Sequence, residues 1–230
     1  MSKKLFTIFA AMFALAFVAS AADLTGSDDA LFGQPVDWVV EYSAENGMPG
    51  ADWKCTIPAD RRSIVERDGA KALRVQNVNP TETSKAASGL YTYADPKAFA
   101  KLTGTVLVEI EVAFPEELKE DKKAHHQFYF RYSSGNDPIT DLIACVNVAN
   151  TWGTMGACNY PAIPYGKFFR VRMALDTATG TQALWINGKK FFKANAKPLD
   201  KKKNLLYFGD GGEAINGVFE LKSLKVGVLK

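Results

Sequence analysis

Apolar and polar side chains alternate with a period of two along several segments, and this alternation constrains the fold most. From Val106 to Phe114 every second side chain is apolar, and residues 127–132 and 168–175 show the same pattern. Successive side chains of a strand point to opposite faces of a sheet, so each segment is predicted to be a strand with one buried face. The sequence therefore predicts a protein built mainly from strands.

Turn signals join these strands into hairpins. Asp68-Gly69 and Asn187-Gly188 each separate two apolar segments by two residues, and such pairs supply the positive φ of a tight hairpin turn. Further strands are predicted over residues 141–149, 205–208 and 218–228, whereas only residues 96–101 and 115–123 are predicted to be short helices. Many short alternating strands indicate an all-β chain folded as a two-sheet antiparallel jelly-roll β-sandwich.

Four motifs in the second half of the chain occur in a recurring order. A strand ends in Asp176, a turn follows at Thr179-Gly180, a strand ends in Asn187-Gly188, and a late loop contains Gly209-Asp210. This order resembles the laminin-G-like branch of the concanavalin A-like jelly rolls, over roughly residues 60–230. The resemblance implies the jelly-roll fold. More loosely it implies a glycan-facing function, because the family includes lectins, adhesion modules, glycosidases and polysaccharide lyases.

The first residues have the pattern of a secretory signal. Lys3 and Lys4 precede an apolar run, and Ala19-Ser20-Ala21 offers a small-x-small cleavage site. We expect residues 1–21 to be a signal peptide cleaved near Ala21, residues 22–34 to be a loose N-terminal arm, and residues 35–230 to form one jelly-roll domain. The mature protein would be secreted or periplasmic. No later apolar run approaches the roughly 20 residues of a membrane span.

Charge and motif content exclude several function classes. The chain has 28 Lys and Arg against 25 Asp and Glu, and two of the basic residues lie in the signal segment. Nucleic acid is therefore not expected as a partner, because phosphate binding requires a concentrated basic surface. No Gly-x-Ser-x-Gly, His-Glu-x-x-His, phosphate-loop or Cys-x-x-Cys motif occurs. No hydrolase, zinc protease or nucleotide-dependent activity of these classes is predicted.

Two short motifs suggest glycan chemistry. Residues 109–114 resemble the Glu-x-Asp-x-x-Glu signature of jelly-roll glucanases, but Glu111 replaces the Asp and Phe114 replaces the second catalytic carboxylate, which argues against retaining hydrolysis. The second motif contains His125, Gln127, Tyr129 and Arg131, which alternation places on one strand face. These residue types resemble those with which jelly-roll lyases neutralise a uronic acid carboxylate and remove its C5 proton.

Alternation also predicts which side chains face outward as a ligand-binding surface. Aromatic rings can cover the apolar face of a sugar, while Arg, Gln and Glu hydrogen-bond its hydroxyl groups. An alternative remains open, in which arginines and glutamates of an outer sheet face pair across strands. The predicted outward set consists of Glu109, Glu111, Gln127, Tyr129, Arg131, Arg170, Arg172 and Trp185.

Metal and disulfide sites are further alternatives. Asp176, Asp210 and Glu213 lie in predicted turns of the kind in which laminin-G-like sandwiches hold calcium, although Asp is also an ordinary turn residue. Cys145 and Cys158 could close a disulfide, Cys55 could pair with either, or all three could be thiols.

The function that we expect from these observations is an exported noncatalytic carbohydrate-binding or adhesion module with a glycan as partner. It requires no cofactor, with calcium as an optional ligand. One alternative is a glycan-active enzyme, foremost a polysaccharide lyase acting on a uronic acid polymer. A second alternative is a structural or protein-interaction sandwich.

Overall fold

The computed structural model describes residue 24 and residues 26–77, 90–116, 126–134, 137–146, 151–152, 156–157, 165–195, 204–209 and 217–230. The expected signal peptide and the predicted helix beyond residue 116 lie outside these ranges. Two short α-helices are described, α1 (Asp28–Phe32) and α2 (Pro96–Lys101), with 3₁₀ turns at Ala44–Asn46 and Ala59–Arg61. The strands are β1 (Val36–Ser43), β2 (Trp53–Cys55), β3 (Arg62–Arg67), β4 (Ala70–Asn77), β5 (Leu90–Tyr93), β6 (Thr105–Ala113), β7 (His126–Ser134), β8 (Asp137–Val146), β9 (Thr151–Trp152), β10 (Gly156–Ala157), β11 (Phe169–Asp176), β12 (Thr181–Ile186), β13 (Lys189–Asn195), β14 (Asn204–Gly209) and β15 (Gly217–Leu229).

Two antiparallel sheets form the predicted β-sandwich. The large sheet has the order β13-β12-β11-β6-β15-β4-β3, with β1 also paired to β15, and the small sheet has the order β2-β5-β14-β7-β8. Strands β9 and β10 form a separate hairpin. Neighbours in the sheets are often far apart in sequence, as in a jelly roll, so the predicted all-β jelly-roll sandwich is confirmed.

The long strand β15 organises the large sheet. It pairs with β6 on one side, and on the other side first with β4 and then with β1. A bulge at Lys222 interrupts its register with β6. A bulge adds one residue to one strand. Leu221 and Leu224, three residues apart, are consequently both buried in the core between the sheets.

The predicted hairpins and alternating strands are present. Asp68 and Asn187 have φ values of 51° and 48°, and each is followed by a glycine with positive φ, as two-residue hairpin turns require. Val108, Ile110 and Val112 of β6 are buried between the sheets. They pack there with aromatic side chains of the small sheet, among them Tyr91, Tyr132 and Phe208.

The N-terminal segment differs from the predicted loose arm over its described part. Ser27 caps α1, and Leu24 and Leu31 are buried against the outer face of the large sheet. They form a second apolar cluster there with Leu107, Ala174, Ala183 and Trp185. The segment is held because its leucines cover an apolar patch that would otherwise face water. We call residue 24 together with residues 26–33 the N-terminal clasp.

No described helix is long and apolar enough to cross a membrane.

Candidate functional site

The predicted ligand-binding set is divided between the two sheets. Strands β6, β11 and β12 of the large sheet carry Glu109, Glu111, Arg170, Arg172 and Trp185, whereas β7 of the small sheet carries Gln127, Tyr129 and Arg131. The inner faces of both sheets meet in the core, so their outer faces lie on opposite sides of the sandwich. The eight residues therefore do not form one continuous surface, which corrects the expectation drawn from alternation.

On the large sheet, Arg172 is bound to the N-terminal clasp. Its Nε donates to Glu109 Oε2 at 2.7 Å, and its Nη1 donates to Asp28 Oδ2 at 3.2 Å and to Asp29 Oδ1 at 2.9 Å. The guanidinium carbon lies 4.6 Å from the centroid of the Phe32 ring. The donors of Arg172 are thus engaged by its own chain, and this part of the face is a structural interface.

Trp185 lies on the predicted side of the large sheet but is only 1% exposed. The leucines of the N-terminal clasp pack in the same cluster, and Lys190 Nζ lies 5.1 Å from the ring centroid. Lys190 Nζ also donates to the carbonyl oxygen of Leu24. The expectation that this indole faces solvent is therefore wrong, because the clasp covers it.

Cross-strand ion pairs are found at other positions of the large outer face. Glu111 Oε2 lies 2.9 Å from Lys222 Nζ. The carboxylate of Glu220, which is 1% exposed, accepts hydrogen bonds from Arg67 and from Arg74. These contacts match the alternative in which the outer face is held by paired charges. A second catalytic carboxylate is also missing here, since Phe114 is buried in the core.

A row of polar residues crosses the outer face of the small sheet. The register aligns Lys54 of β2 with Thr92 of β5, Thr92 with Tyr207 of β14, Tyr207 with Arg131 of β7, and Arg131 with Asp141 of β8. Adjacent strands lie about 4.8 Å apart, so the row spans about 19 Å. We call these five residues the polar row.

The polar row has a defined centre. The guanidinium carbon of Arg131 lies 5.5 Å from the ring centroid of Tyr207, and Tyr207 is itself largely buried. An arginine over an aromatic ring is attracted by the ring quadrupole, and this attraction holds the guanidinium near the Tyr207 ring. Lys54 at the β2 end is exposed. The row therefore contains two cationic residues, Lys54 and Arg131, and one acidic residue, Asp141.

Two more predicted site residues share this face. Tyr129 is in register with Gly209 and Ile143, and Gln127 is in register with Cys145. Because their positions differ from Arg131 by two and four residues along an unbroken part of β7, all three belong to one strand face. His125 lies outside the described residues, and His126 occupies the opposite face of β7.

The predicted metal and disulfide residues are placed only in part. Asp176 Oδ1 accepts the N–H groups of Ala178 and Thr179 at 2.8 and 3.2 Å, so this carboxylate closes the turn after β11. Asp210, Glu213 and Cys158 lie outside the described residues. Within the described ranges no group of three His, Cys, Asp or Glu could hold a metal ion. Cys55 is a free thiol whose Sγ donates to Ile57 O at 3.7 Å.

The sequence reasoning missed Lys54, Thr92, Tyr207 and Asp141 as members of a shared surface. A strand over residues 205–208 and one beginning at Asp141 were predicted, but neither prediction says which strands lie side by side. No local signal identifies β5 as the neighbour of β14 or β2 as the neighbour of β5, because the first pairing joins segments more than 100 residues apart and the second joins segments that are not consecutive strands.

Comparison with known proteins shows similarity of fold. No protein-family model and no curated protein matches the chain. A carbohydrate esterase from the Shiga toxin-encoding bacteriophage phi24B superposes with a TM-score of 0.58 at 14% identity, covering 85% of this chain and 100% of that one. Domain 4 of the extracellular arabinanase AbnA from Geobacillus stearothermophilus, solved with arabinotriose, gives 0.54 at 14% identity, covering 84% and 92%.

An alginate lyase solved with an alginate trisaccharide gives a TM-score of 0.51 at 12% identity, covering 83% of this chain and 98% of that one. These neighbours share the jelly-roll β-sandwich, which is consistent with a concanavalin A-like fold. The laminin-G-like branch stays a prediction.

Proposed function

We propose that this protein is an exported, noncatalytic carbohydrate-binding module whose glycan lies along the polar row of the small sheet. The observation that carries the proposal is the row itself, in which Arg131 stacks on Tyr207 and lies in one line with Lys54. Solved structures with this fold include proteins whose ligands are arabinotriose and an alginate trisaccharide. On the large sheet, the clasp and cross-strand ion pairs already engage Arg172, Trp185, Glu109 and Glu111 of the predicted ligand-binding set.

The two cationic residues of the polar row outnumber its one acidic residue, Asp141, and this excess of positive charge favours an acidic glycan. A guanidinium can bind a carboxylate with two parallel hydrogen bonds, and a lysine ammonium adds a second positive charge. A span of about 19 Å suits an oligosaccharide rather than a single sugar ring. We therefore expect the ligand to carry uronic acid carboxylates, with calcium as an optional bridging ion.

The test is a glycan array, run with and without calcium, followed by calorimetry of the best acidic ligand. Arg131→Ala is expected to weaken binding by about tenfold or more, the effect of removing an anchor worth about 1.4 kcal/mol. Lys97→Ala removes an exposed lysine on α2, away from the polar row, and serves as the matched control. Equal affinity of both variants and the parent would place the glycan elsewhere. Binding of no glycan at all would favour the structural or protein-interaction alternative.

A polysaccharide lyase is the second candidate, favoured by the presence of Gln127, Tyr129 and Arg131 on one face of β7. In this reaction a base removes the C5 proton, a carbon–carbon double bond forms between C4 and C5, the bond from C4 to the glycosidic oxygen breaks, and that oxygen takes up a proton to leave as a hydroxyl. Arg131 and Gln127 would neutralise the carboxylate of the uronic acid. Tyr129 or His125 would be the base that accepts the C5 proton. New ultraviolet absorbance on incubation with polyuronates, abolished by Tyr129→Phe, would select this activity over binding alone.

A further inference from the structure

A separate pocket opens at the end of the sandwich beside β2. Its volume is about 290 Å³, near the lower end of the range of about 300–1,000 Å³ that ligand pockets occupy. The lining includes Asn46, Met48, Asp52, Trp53 and Tyr93, which come from the 3₁₀ turn at Ala44–Asn46, the loop that follows it, β2 and β5, and residues of β1 complete it. We call it the end pocket. None of its lining residues belongs to the polar row.

Aromatic side chains give the end pocket a rigid wall. The Trp53 ring packs edge-on against Tyr93 with centroids 5.1 Å apart, and against Phe208 at the same distance. Trp53 is 7% exposed, so this ring is fixed by the core while its edge lines the pocket. Such a preformed apolar wall can pack against the C–H face of a sugar without being ordered by the ligand.

Hydrogen bonds hold the rim of the end pocket in place. The Tyr42 hydroxyl donates to Gly47 O at 3.1 Å, Trp53 N donates to Gly50 O at 3.0 Å, and Ala94 N donates to Asp52 O at 2.8 Å. Together these bonds tie the loop that carries Met48 to β1, β2 and the residue after β5. The rim is therefore formed before a ligand arrives.

An exposed methionine lies on this rim. Among the described residues, Met48 is the large apolar side chain that is exposed, with 40% of its surface accessible. It also lines an adjoining depression with Arg62 and Ile64. Unbranched and polarisable, a methionine can adapt to an apolar ligand surface. A ligand ring in the end pocket can thus continue over Met48 into the depression.

The polar groups of the end pocket select for hydrogen-bond donors. Among the described residues that line it, there is no lysine or arginine. Asp52 contributes an exposed carboxylate, and the pKa of Tyr93 is raised mainly by burial and further by the negative charges of Asp52 and Asp95. A carboxylate accepts hydrogen bonds from sugar hydroxyls but repels a uronic acid or sulfated sugar. The charge of the end pocket is therefore negative, whereas the charge of the polar row is positive.

We propose that the end pocket is a second carbohydrate site that binds one neutral sugar ring at the end of an uncharged oligosaccharide. The ring packs on Trp53 and Tyr93, its hydroxyls donate to Asp52 and bond to the Asn46 amide, and the next ring crosses Met48. The site does not depend on the polar row, so either can exist without the other.

The test titrates the full mature chain with arabinotriose and cellotriose as neutral probes and with an alginate trisaccharide as the acidic probe. Calorimetry gives the affinities, and saturation transfer from aromatic protons reports which sugar ring contacts the wall. We expect at least one neutral probe to bind at millimolar concentration. Asp52→Ala is expected to weaken it about tenfold, because a hydrogen bond to a charged group is lost, and Asn46→Ala to weaken it less.

Both substitutions remove exposed or rim side chains, and melting temperatures check that the fold is retained. Lys167→Ala, which removes an exposed lysine just before β11 of the large sheet, is the control for a surface change outside the end pocket. Failure of both neutral probes to bind at millimolar concentration, or neutral binding that survives Asp52→Ala and Asn46→Ala unchanged, overturns the proposal. Titrations of Arg131→Ala with the alginate trisaccharide test the polar row alone. Failure of the proposed polar-row site can therefore be distinguished from failure of the end pocket.

Discussion

Replacing Arg172 by methionine tests whether the N-terminal clasp holds the large sheet together. Methionine keeps an unbranched apolar stem of similar length but removes the charge and every hydrogen bond of the guanidinium. The substitution therefore breaks the contacts with Asp28, Asp29 and Glu109, together with the stacking on Phe32. What remains is a clasp held by its apolar side chains and by the hydrogen bond from Lys190 Nζ to the carbonyl oxygen of Leu24.

Burial decides which of these contacts matters. The Asp28 side chain is 3% exposed, whereas that of Asp29 is 82% exposed. Removing one partner of a buried ion pair costs about 3–5 kcal/mol, while an exposed pair contributes about 0–1 kcal/mol. Asp28 lies in the first turn of α1, where free N–H groups offset part of the loss. We expect Arg172→Met to lower the free energy of unfolding by about 3 kcal/mol.

For a chain of this length each kcal/mol shifts the melting temperature by about 2–4 °C, so the expected loss is about 6–12 °C. Circular dichroism melts and denaturant titrations measure it, and limited proteolysis shows whether residues 26–33 become cleavable. Arg170→Met is the matched control, since Arg170 lies on the same strand and face but makes no described ion pair to the clasp.

A double variant isolates the buried carboxylate. Asp28→Asn combined with Arg172→Met removes the most buried of the carboxylates that lose Arg172, so the double variant should be more stable than Arg172→Met alone. The reasoning is refuted if Arg172→Met melts within about 2 °C of the parent, or if it is no less stable than Arg170→Met. Arg172 would then be available for another role on that face.

Two further predictions concern backbone packing and alkaline pH. Gly227→Ala should destabilise the pairing of β15 with β1, because the added Cβ would lie 2.6 Å from the Asp37 carbonyl oxygen. In the control Gly50→Ala the added Cβ meets nothing within 4 Å, so this variant should melt close to the parent. Equal melting temperatures of the two variants would contradict this prediction. Burial raises the pKa of Tyr91 to about 12 and also raises that of Tyr132, while an unfolded tyrosine titrates near about 10. The folded state therefore keeps its phenol protons longer, so the stability that these phenols contribute is complete below about pH 10 and is lost as the pH rises through about 12. In a pH titration, the tyrosinate absorbance and the circular dichroism should change together in one transition. Full ionisation of the tyrosines while the near-ultraviolet dichroism stays intact would contradict this prediction.

The sequence was sufficient for local features. Alternation along β6 and β11 identified the strands and the side chains that face the core, because side-chain direction in a strand depends only on the parity of the position. The turns at Asp68-Gly69 and Asn187-Gly188 were equally predictable, since positive φ favours these residues wherever they occur. The all-β jelly-roll class followed from the number of such strands.

The location of the candidate site was harder to predict from the sequence. Alternation placed Gln127, Tyr129 and Arg131 together, but it grouped them with Arg172 and Trp185, which lie on the other sheet. A period of two distinguishes the sides of a strand and carries no information about the sheet to which that strand belongs. Strand neighbours are chosen by contacts between distant segments, which no local pattern encodes.

The sequence by itself determined which segments are strands, where the tight turns fall and which side chains of each strand share a face. The tertiary structure decided which faces stay accessible, since it placed the N-terminal clasp over Trp185 and aligned Lys54, Tyr207 and Arg131 in one row. The physical reason is that hydrophobic burial has no direction. Leu31 must be covered by some apolar surface, but only the assembled sheets determine which surface is near enough to cover it.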